Sequence, residues 1–571
     1  MDIRLIGKPA ILADDGELRP VRGHQSWALL ARILLAERPL SRRQLSAELF
    51  PSADDPLGAL RWCLAGLRRA LGSADVLVGD PVVASLPAAT GFDVTDVEAG
   101  TFDLERAGDL LEGIDPRCSP ELDTWLLVSR QRIAGLIDAL VRAEVLGSLS
   151  AGATARALPL AELGVRRAVF DEGPHVLLVK CLVAAGRYEA AREHIDETEA
   201  LFRRELGIEP TAALRSAGRR RLADAPPGVP PRAAAASLLE SGRAALAAGT
   251  IDAGVECLRR AADGARQVGD EHLEAVCLFE LGAALVHAVR SHDDEGAILL
   301  QHSADLAASH GDHRLAADAH RELGYVDALA GRRPAAGIHL QDARQLAGDD
   351  VQLLAGIGSV HAFNLADWGH HDEAIAEYGA AIERAEAGAN HRRVAWSLGL
   401  GSWAQLRFGD LDRAAEWARR CLALVADTRW VSFRPWPLAM TAEIQLAAGA
   451  DPAALRRDLD DAFALSCTLD DPCWEGATAR AIALTHAAAG EHDAALEWID
   501  QSRRRCLRET DTYVAMHAAI LDTEATLSAA AGQQARADAA GRALVSLAAR
   551  CHMDDFLARG LQVVRNAPDP G

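Results

Sequence analysis

The stretch Gly324-Tyr-Val-Asp-Ala-Leu-Ala-Gly331-Arg-Arg-Pro-Ala-Ala336 decides the fold of the later part of the chain, because its central glycine recurs at a nearly constant spacing. The recurring turn glycines are Gly249, Gly331, Gly369, Gly409, Gly449, Gly490 and Gly532. The last five steps between them are 38, 40, 40, 41 and 42 residues, and the 82-residue first step leaves room for one more turn near His292. A period of this length predicts an array of helical hairpins, each turning at its glycine.

Small residues flank these turns, seven positions before the glycine and five positions after it. The pairs are Gly324/Ala336, Ala362/Ala374, Ser402/Ala414, Ala442/Ala454, Ala483/Ala495 and Ala525/Ala537. Small side chains at these places let the two helices of a hairpin approach closely, which resembles the packing of tetratricopeptide repeats, here with longer helices. The resemblance covers about residues 237–565 and implies an α-solenoid whose concave face commonly binds peptides or partner domains.

The length and composition of the chain indicate its number of domains and exclude two classes of protein. At 571 residues, of which 49% are hydrophobic, the chain is long enough for about three or four domains with cores of their own. The net charge of −22 repels polyanions, which excludes a protein that coats nucleic acid along its length. The only lysines are Lys8 and Lys180, and neither is followed by Ser or Thr, which excludes a phosphate-loop nucleotidase.

No segment of the sequence has the character of a signal peptide or a membrane span. The first eight residues lack an apolar core, and no later stretch approaches about 18 uninterrupted apolar residues. We therefore expect a cytoplasmic protein. The ten cysteines include no C-x-x-C pair, so we expect reduced, mostly helix-buried thiols rather than disulfides or a zinc ribbon.

The first hundred residues mix short β-like runs with three helices. Strands are expected at 2–6, 10–12 and 18–21, a first helix at 24–36, and a hairpin at 76–78 and 82–86. Ser41 with Gln44 forms a capping box that predicts a second helix over 42–50. Asp55 before Pro56 predicts the start of a third helix, which ends near residue 71. Strands, three helices and a terminal hairpin are the order of an OmpR-type winged helix.

Longer motifs carry a resemblance to a known family. Residues 39–45 and Leu60-Arg61-Trp-Cys-Leu-Ala-Gly-Leu-Arg68-Arg69-Ala-Leu-Gly72 resemble the recognition-helix region of the antibiotic regulatory proteins of actinomycetes. Residues 110–115, 122–126 and 185–191, with the closing motif Leu201-Phe-Arg-Arg-Glu-Leu-Gly-Ile-Glu-Pro210, resemble the bacterial transcriptional activator domain. The two regions follow each other in the order that this family shows.

The resemblance implies a fold, a function and partners. The expected fold is mostly α, with a winged helix (α+β) at 1–97, an activator domain at 98–225, a Pro-rich linker at 226–236 and a helical-hairpin α-solenoid at 237–565. The implied function is that of a transcriptional activator that reads direct repeats in double-stranded promoter DNA and recruits RNA polymerase. Larger members of the family carry a nucleotidase before the repeats, which this chain omits. A homodimer, and a peptide or protein in the groove of the repeats, are further expected partners.

An arginine-rich segment is the predicted DNA contact. Residues 18–72 hold nine arginines against four acidic residues, a local charge of +5 in a chain of −22. The predicted contacts are Arg61, Arg68 and Arg69 on the recognition helix and Arg42 and Arg43 nearer phosphate. However, residues 62–66 are apolar or small, and no basic residue lies between Arg69 and Arg106. The alternative is therefore a helical-repeat scaffold whose winged helix no longer binds DNA strongly.

Tryptophans are the candidate contacts of the repeats. Eight of the eleven lie in 368–498, and Trp396 and Trp403 are seven positions apart, hence on nearly the same helix face. Two prolines interrupt the helical pattern around Trp430 and Trp436. We predict that Trp396, Trp403, Trp430 and Trp436 bind a partner, and the alternative is that they pack between helices.

Catalytic and metal-binding patterns are weak. Eleven of the nineteen histidines fall between His287 and His391, but His313 and His320 are seven positions apart. Two helical turns separate such side chains by about 10 Å, too far to share one Zn²⁺. Residues 399–404 approximate a dinucleotide-binding fingerprint, but no predicted strand precedes them, and H-E-x-x-H and G-x-S-x-G are absent from the sequence. We therefore expect no metal, no cofactor and no enzyme activity.

Overall fold

Residues 1–116, 118–218 and 231–565 are described by the structure, a computed structural model of the chain. Contacts divide the chain into two compact units, residues 1–140 and 141–571. The first unit mixes strands with helices, and the second consists of helices that follow one another along the chain. The predicted fold class, mostly α with an N-terminal winged helix and a helical-hairpin solenoid, is confirmed.

A three-stranded sheet opens the first unit. Its strands, in spatial order, are β2 (Ala10–Leu12), β1 (Asp2–Arg4) and β5 (Gly91–Phe92). Strand β1 pairs antiparallel with β2, which places the buried Ile3 opposite the buried Ile11, and parallel with β5. The strand predicted at 18–21 is wrong, because the segment forms only a single bridge, between Leu12 and Leu18. Pro20 has no N–H with which to extend a ladder.

Three helices and a hairpin complete the winged helix. They are α1 (His24–Leu34), α2 (Arg42–Leu49), α3 (Pro56–Ala70), β3 (Leu77–Val78) and β4 (Val83–Ala84). The predicted caps are confirmed: the Ser41 hydroxyl accepts a hydrogen bond from the Gln44 backbone N–H, 3.1 Å, and the Asp55 carboxylate accepts one from the Gly58 N–H, 2.8 Å. The Gln44 side chain donates to Glu48 rather than returning to Ser41, so only half of the capping box forms.

The chain then leaves the hairpin for a long helix. It passes through β5, α4 (Asp93–Glu98) and a 3₁₀ turn (Leu104–Arg106) before α5 (Pro120–Ser150). Asp93 is fully buried and accepts hydrogen bonds from the backbone N–H groups of Leu5 and Ile6, all at 2.9 Å. These bonds tie α4 to the end of β1. The division between the two compact units falls inside α5, after Leu140.

Short helices follow α5 in the second unit, and the repeat array follows them. The short helices are α6 (Thr154–Arg167), α7 (Glu172–Ala184), α8 (Tyr188–Glu205) and α9 (Ala212–Ala217). The array comprises α10 (Pro231–Ala247), α11 (Ile251–Gln267), α12 (Glu271–Ala288), α13 (Asp293–Ser309), α14 (His313–Leu329), α15 (Arg333–Ala347), α16 (Val351–Trp368), α17 (His371–Ala387), α18 (His391–Phe408), α19 (Leu411–Asp427), a 3₁₀ turn (Val431–Phe433), α20 (Pro435–Ala447), α21 (Pro452–Leu469), α22 (Pro472–Ala488), α23 (His492–Cys506), α24 (Val514–Ala530), α25 (Gln534–Arg550) and α26 (Asp554–Arg565). None of the helices in the described ranges combines the length and the apolar character that a membrane crossing requires.

The predicted linker at 226–236 is only partly described. Residues 226–230 lie outside the described residues. Residues 231–236 are not an extended spacer, because they form the first turns of α10. A proline is tolerated at the first helical position, where its missing N–H would have no partner in any case.

The predicted turn glycines lie at the hairpin turns. All seven have positive φ, between 74° and 105°, a conformation that favours glycine. The additional turn predicted near His292 lies between α12 and α13, where Ser291 takes a φ of 64°. The flanking small residues are buried in every predicted pair except for Ala454, which is exposed. Helix α21 instead buries Leu459, Ala462 and Ser466.

Hairpins far apart in sequence also touch within the second unit. We call four of these pairs the long-range contacts: Tyr513–Asp367, Arg407–Asp555, Arg290–Asp471 and His292–Asp511. Their members lie 146, 148, 181 and 219 positions apart. Asp367 is the most enclosed of these groups, since it accepts both the Tyr513 hydroxyl at 2.8 Å and the Arg407 guanidinium at 2.7 Å. The array therefore contains more than contacts between neighbouring hairpins.

Candidate functional site

The exposed face of α3 is the first candidate site. Because α3 turns Leu60, Leu64 and Leu67 toward the core, the opposite face is left to solvent. That face carries Leu57, Arg61, Trp62, Ala65 and Arg69. The side chain of Arg61 is 64% exposed and lies 3.4 Å from the Asp55 carboxylate, and Trp62 is 60% exposed. Two guanidinium groups and one indole thus project from the predicted recognition helix.

Two of the five predicted DNA-contacting arginines hold the hairpin. Arg42 donates from its backbone N–H to the Asp80 carboxylate and from Nε to the Gly79 carbonyl oxygen, both at 2.9 Å. Arg68 donates from Nε to the Leu77 carbonyl oxygen at 3.1 Å. These bonds position the β3–β4 hairpin against α2 and α3.

The remaining three arginines are accessible. Arg43 is exposed on α2, and Arg69 is exposed on α3, where its Nε lies 3.3 Å from the Ala65 carbonyl oxygen. The tip of the hairpin offers exposed Val78 and Val83 but no cation. Any phosphate contact on this surface would therefore come from the helices, through Arg43, Arg61 and Arg69.

Two of the four predicted partner-binding tryptophans belong to the core. Trp403 is 2% exposed and Trp436 is fully buried, and their rings meet edge to face with centroids 5.4 Å apart. Trp436 donates from its indole N–H to the Gly399 carbonyl oxygen at 3.0 Å. Their assignment as partner contacts is corrected, because a fully enclosed indole has no free face to offer a ligand. They are packing residues, the alternative that the sequence left open.

The other two tryptophans, Trp396 and Trp430, line a cavity of about 390 Å³ in the repeat array. Helices α12, α14, α16, α18 and α22 and the 3₁₀ turn before α20 contribute to its wall. Besides the two tryptophans, the aromatic side chains of the wall are Tyr325, Phe433 and Trp474. Trp430 stacks on Phe433 with centroids 4.7 Å apart, and Trp396 meets Tyr325 edge to face at 6.3 Å. The volume is in the range of small-molecule sites.

Four arginines and two carboxylates face this cavity. Arg290 pairs with Asp471, and Arg321 pairs with Glu322 at 2.7 Å. Arg321 also lies 3.3 Å from Asp318, outside the wall. His287 shares Glu322 with Arg321, through a 2.8 Å contact. Both carboxylates of the wall are thereby committed to existing partners.

The last two arginines of the wall, Arg392 and Arg393, form no short ion pair with a carboxylate among the described residues, although Glu322 and Asp318 attract Arg393 at longer range. Their guanidinium groups face indole rings, Arg392 at 5.6 Å from the Trp430 centroid and Arg393 at 5.9 Å from that of Trp396. Burial, followed by repulsion from Arg321, lowers the pKa of Arg393 to about 10, so that it remains charged at neutral pH. Burial alone would raise the pKa of Glu322, but Arg321 and His287 hold that pKa well below its usual range.

The sequence predicted two of the three indoles of this cavity, those of Trp396 and Trp430, but not that of Trp474 and not the charged side chains. Two of the four arginines could have been found from the sequence, because Arg392 and Arg393 precede Trp396 by one helical turn. Arg290 and Arg321 carry no such signal. They come from other hairpins, and only the tertiary structure brings them to the same wall.

A histidine cluster is the candidate metal centre of the described residues. The ligand atoms of His320, His339 and Asp342 lie within 4.8 Å of one another, whereas the pair considered from sequence was His313 with His320. The Nδ1 atoms of His320 and His339 are 3.1 Å apart. One ring can donate and the other accept, which explains their proximity without an ion.

Comparisons with known proteins identify one domain. Residues 106–221, about a fifth of the chain, match the sequence model of the bacterial transcriptional activator domain. A search of curated proteins gives no match.

Three solved structures illustrate the likeness in fold. EmbR of Mycobacterium tuberculosis, solved with a low affinity phosphopeptide, is 19% identical over 38% of this chain and 63% of its own, with a TM-score of 0.29. PH0952 of Pyrococcus horikoshii, a signal transduction ATPase with a tetratricopeptide repeat sensor, is 12% identical over 93% of this chain and 90% of its own, TM-score 0.39. Aspartyl phosphate phosphatase F of Bacillus subtilis is 12% identical over 76% of this chain and 95% of its own, TM-score 0.32. At these identities and TM-scores, no property of these proteins is transferred to this chain. The family match is the firmer finding: residues 106–221 match the bacterial transcriptional activator domain, and the resemblance to that domain predicted from the sequence is confirmed.

Proposed function

We propose that the chain is a DNA-binding transcriptional regulator, of the activator type and without enzyme activity, which is controlled through its helical repeats. The observation that carries the proposal is the order of the parts. A bacterial transcriptional activator domain at 106–221 follows directly on a winged helix whose α3 presents Arg61 and Arg69 to solvent. Promoter DNA with direct repeats, RNA polymerase and a second copy of the chain are the partners that this proposal includes.

The arginines divide into two roles in this proposal. Arg61 and Arg69 contact base edges or phosphate from α3, and Arg43 contacts phosphate from α2. Arg42 and Arg68 act indirectly, since their side chains already bond to the hairpin backbone. A phosphate contact supplies affinity for every sequence, whereas a base contact supplies specificity at one position.

The test starts from a randomised duplex library, from which the full chain selects its preferred DNA. Binding of the selected duplex is then measured at several salt concentrations for the wild type and for Arg43→Gln, Arg61→Gln and Arg69→Gln. Each lost phosphate contact should lower the slope of log affinity against log salt by about 1, and a lost base contact should relax one position of the selected sequence. Arg419→Gln is the matched control, because Arg419 is an exposed arginine on α19, outside the winged helix. Failure to enrich any sequence, with no binding even at low salt, would contradict DNA recognition.

A second candidate function has its own observation. Trp62 is 60% exposed and Leu57 is 46% exposed on the same helix face, and exposed apolar groups of this size are typical of protein contacts. This observation favours a scaffold whose winged helix binds protein instead of DNA. In that case Trp62→Ala would abolish capture of purified RNA polymerase while the three arginine variants would retain it.

A further inference from the structure

The cavity in the repeats has a charge imbalance that its own residues do not resolve. Its wall carries four arginines and two carboxylates, although the whole chain has a net charge of −22. Arg290 and Arg321 form short ion pairs, whereas Arg392 and Arg393 form none with a carboxylate among the described residues, although Glu322 and Asp318 attract Arg393 at longer range. The excess is therefore located at two adjacent side chains on one side of the wall.

The position of these two arginines in their helix adds to the imbalance. Both lie in the first turn of α18, which Asn390 caps by accepting from the Arg393 backbone N–H at 3.1 Å. The first turn of a helix is the positive end of its dipole, where cations are disfavoured and anions are favoured. Two guanidinium groups at this end are costly for the protein alone and become favourable once an anion lies between them.

The rest of the wall is suited to a planar apolar group. The partly exposed indoles of Trp396, Trp430 and Trp474 border the cavity, with Phe433 behind them. Indole faces also attract cations, but the guanidinium groups of Arg392 and Arg393 already face two of these rings. A volume of about 390 Å³ accommodates a small molecule and is too small for a folded partner.

We propose that this cavity binds a small organic carboxylate that carries a planar apolar ring, with Arg392 and Arg393 on the carboxylate and the exposed edges of the Trp396 and Trp430 indoles against the ring. A guanidinium fork matches a carboxylate in two parallel hydrogen bonds, which fixes the orientation of the acid. Binding itself is independent of DNA, and only its regulatory consequence, a change in promoter affinity, rests on the proposed function. Occupation of the cavity joins α12, α14, α18 and α22 and so stabilises one arrangement of the repeats.

Direct calorimetry on the full chain, without DNA, tests the binding step. The probes are indole-3-acetate and 2-naphthoate, each paired with its uncharged amide, together with inorganic phosphate. We expect saturable binding of at least one carboxylate at one site per chain below about 1 mM, and affinities for its amide and for phosphate that are lower by about tenfold or more. Failure of both carboxylates to bind, or equal binding of the amide or of phosphate, would overturn the proposal.

Variants then locate the site. Arg392→Gln and Arg393→Gln should each weaken carboxylate binding about tenfold, and Trp430→Ala should weaken the carboxylate and the amide alike. Arg419→Gln removes an exposed arginine elsewhere and should leave the affinity unchanged. Arg392 is the decisive position, because it is exposed and its loss should not disturb folding, which a thermal melt verifies. Unchanged affinity in Arg392→Gln and Arg393→Gln would place the binding elsewhere and overturn the assignment. A carboxylate that binds as expected in a chain that selects no DNA would refute the proposed function and leave the cavity assignment standing.

Discussion

Replacement of Arg407 by Met removes a buried cation from the centre of the repeat array. The Arg407 side chain is 4% exposed, and its guanidinium donates to Asp367 at 2.7 Å, to Asp555 at 2.9 Å and to the Ala366 carbonyl oxygen at 2.9 Å. Trp403 lies against the guanidinium, 4.7 Å from its ring centroid. Met keeps much of the apolar stem and packing of the arginine, so that the change isolates the loss of charge.

The expected loss follows from what the substitution leaves behind. Removal of one partner from a buried ion pair costs about 3–5 kcal/mol, because the remaining charge is desolvated without compensation. Asp367 is 2% exposed, but Tyr513 still donates to it at 2.8 Å, and Asp555 is 15% exposed and reaches some water. Both facts favour the lower end of the range. We expect Arg407→Met to lower the free energy of unfolding by about 3 kcal/mol.

Urea unfolding followed by circular dichroism measures this difference, provided that the two slopes agree. The matched control is Arg420→Met, which breaks a surface pair with Glu386 at 2.8 Å and should cost less than about 1 kcal/mol. Hydrogen exchange should also become faster in α26, because Asp555 holds the start of that helix to Arg407. Equal losses for the two substitutions would refute the view that the long-range contacts stabilise the array.

Three further predictions concern stability. Burial, followed by repulsion from Asp294, raises the pKa of Asp511 to about 6, so its ionisation makes the folded state less stable as pH rises from about 4 to about 6. Asp511→Asn should therefore add up to about 3 kcal/mol at pH 7 and only about 1 kcal/mol at pH 4.5, and equal effects in urea midpoints at the two pH values would contradict this. Gly401→Ala places a Cβ 2.4 Å from a carbon of the Trp417 indole and should lower the stability by about 1–3 kcal/mol. Gly379→Ala has open space around it and should stabilise α17 by about 0.5–1 kcal/mol. Thermal melts that show the same change for both substitutions would refute the packing argument. Trp436→Ala should lower the stability by about 3–5 kcal/mol because it leaves a cavity in the core, whereas Trp430→Ala should lower it by about 1 kcal/mol or less. A larger loss for Trp430→Ala in the same melts would contradict the assignment of Trp436 as a packing residue.

The hairpin array could be predicted because its signals are local. A glycine at a turn and small residues within a dozen positions determine where one hairpin closes, and the sequence shows them side by side. Ala454 marks the limit of the rule: it has the right size and spacing, yet it is exposed, because α21 turns a different set of residues inward. The prediction of a strand at 18–21 was wrong for a similarly local reason: it rested on the apolar residues of the segment and did not take into account that Pro20 has no N–H to donate.

The candidate sites depended on information that is not local. On α3 the helix period separates Arg61 from the core correctly, but the sequence does not show that Arg68 bonds to the backbone of Leu77. In the repeats the cavity is lined by side chains between Val286 and Trp474, which are 188 positions apart. Its pattern of charge therefore emerges only once the hairpins are stacked. Trp403 and Trp436 were assigned to the binding surface for a related reason, because a tryptophan in a repeat shows the same sequence pattern whether it is buried in the core or lies at a binding surface.

The long-range contacts also bear on how this array can evolve. In an open repeat protein each unit meets only its neighbours, so units can be gained or lost one at a time. Here Asp367 on α16 must meet Tyr513, which immediately precedes α24. Insertion of one extra hairpin between them would move these partners apart and leave a buried carboxylate without its hydroxyl donor. The number of repeats in this stretch is thus set by geometry, and duplications should be tolerated only outside it.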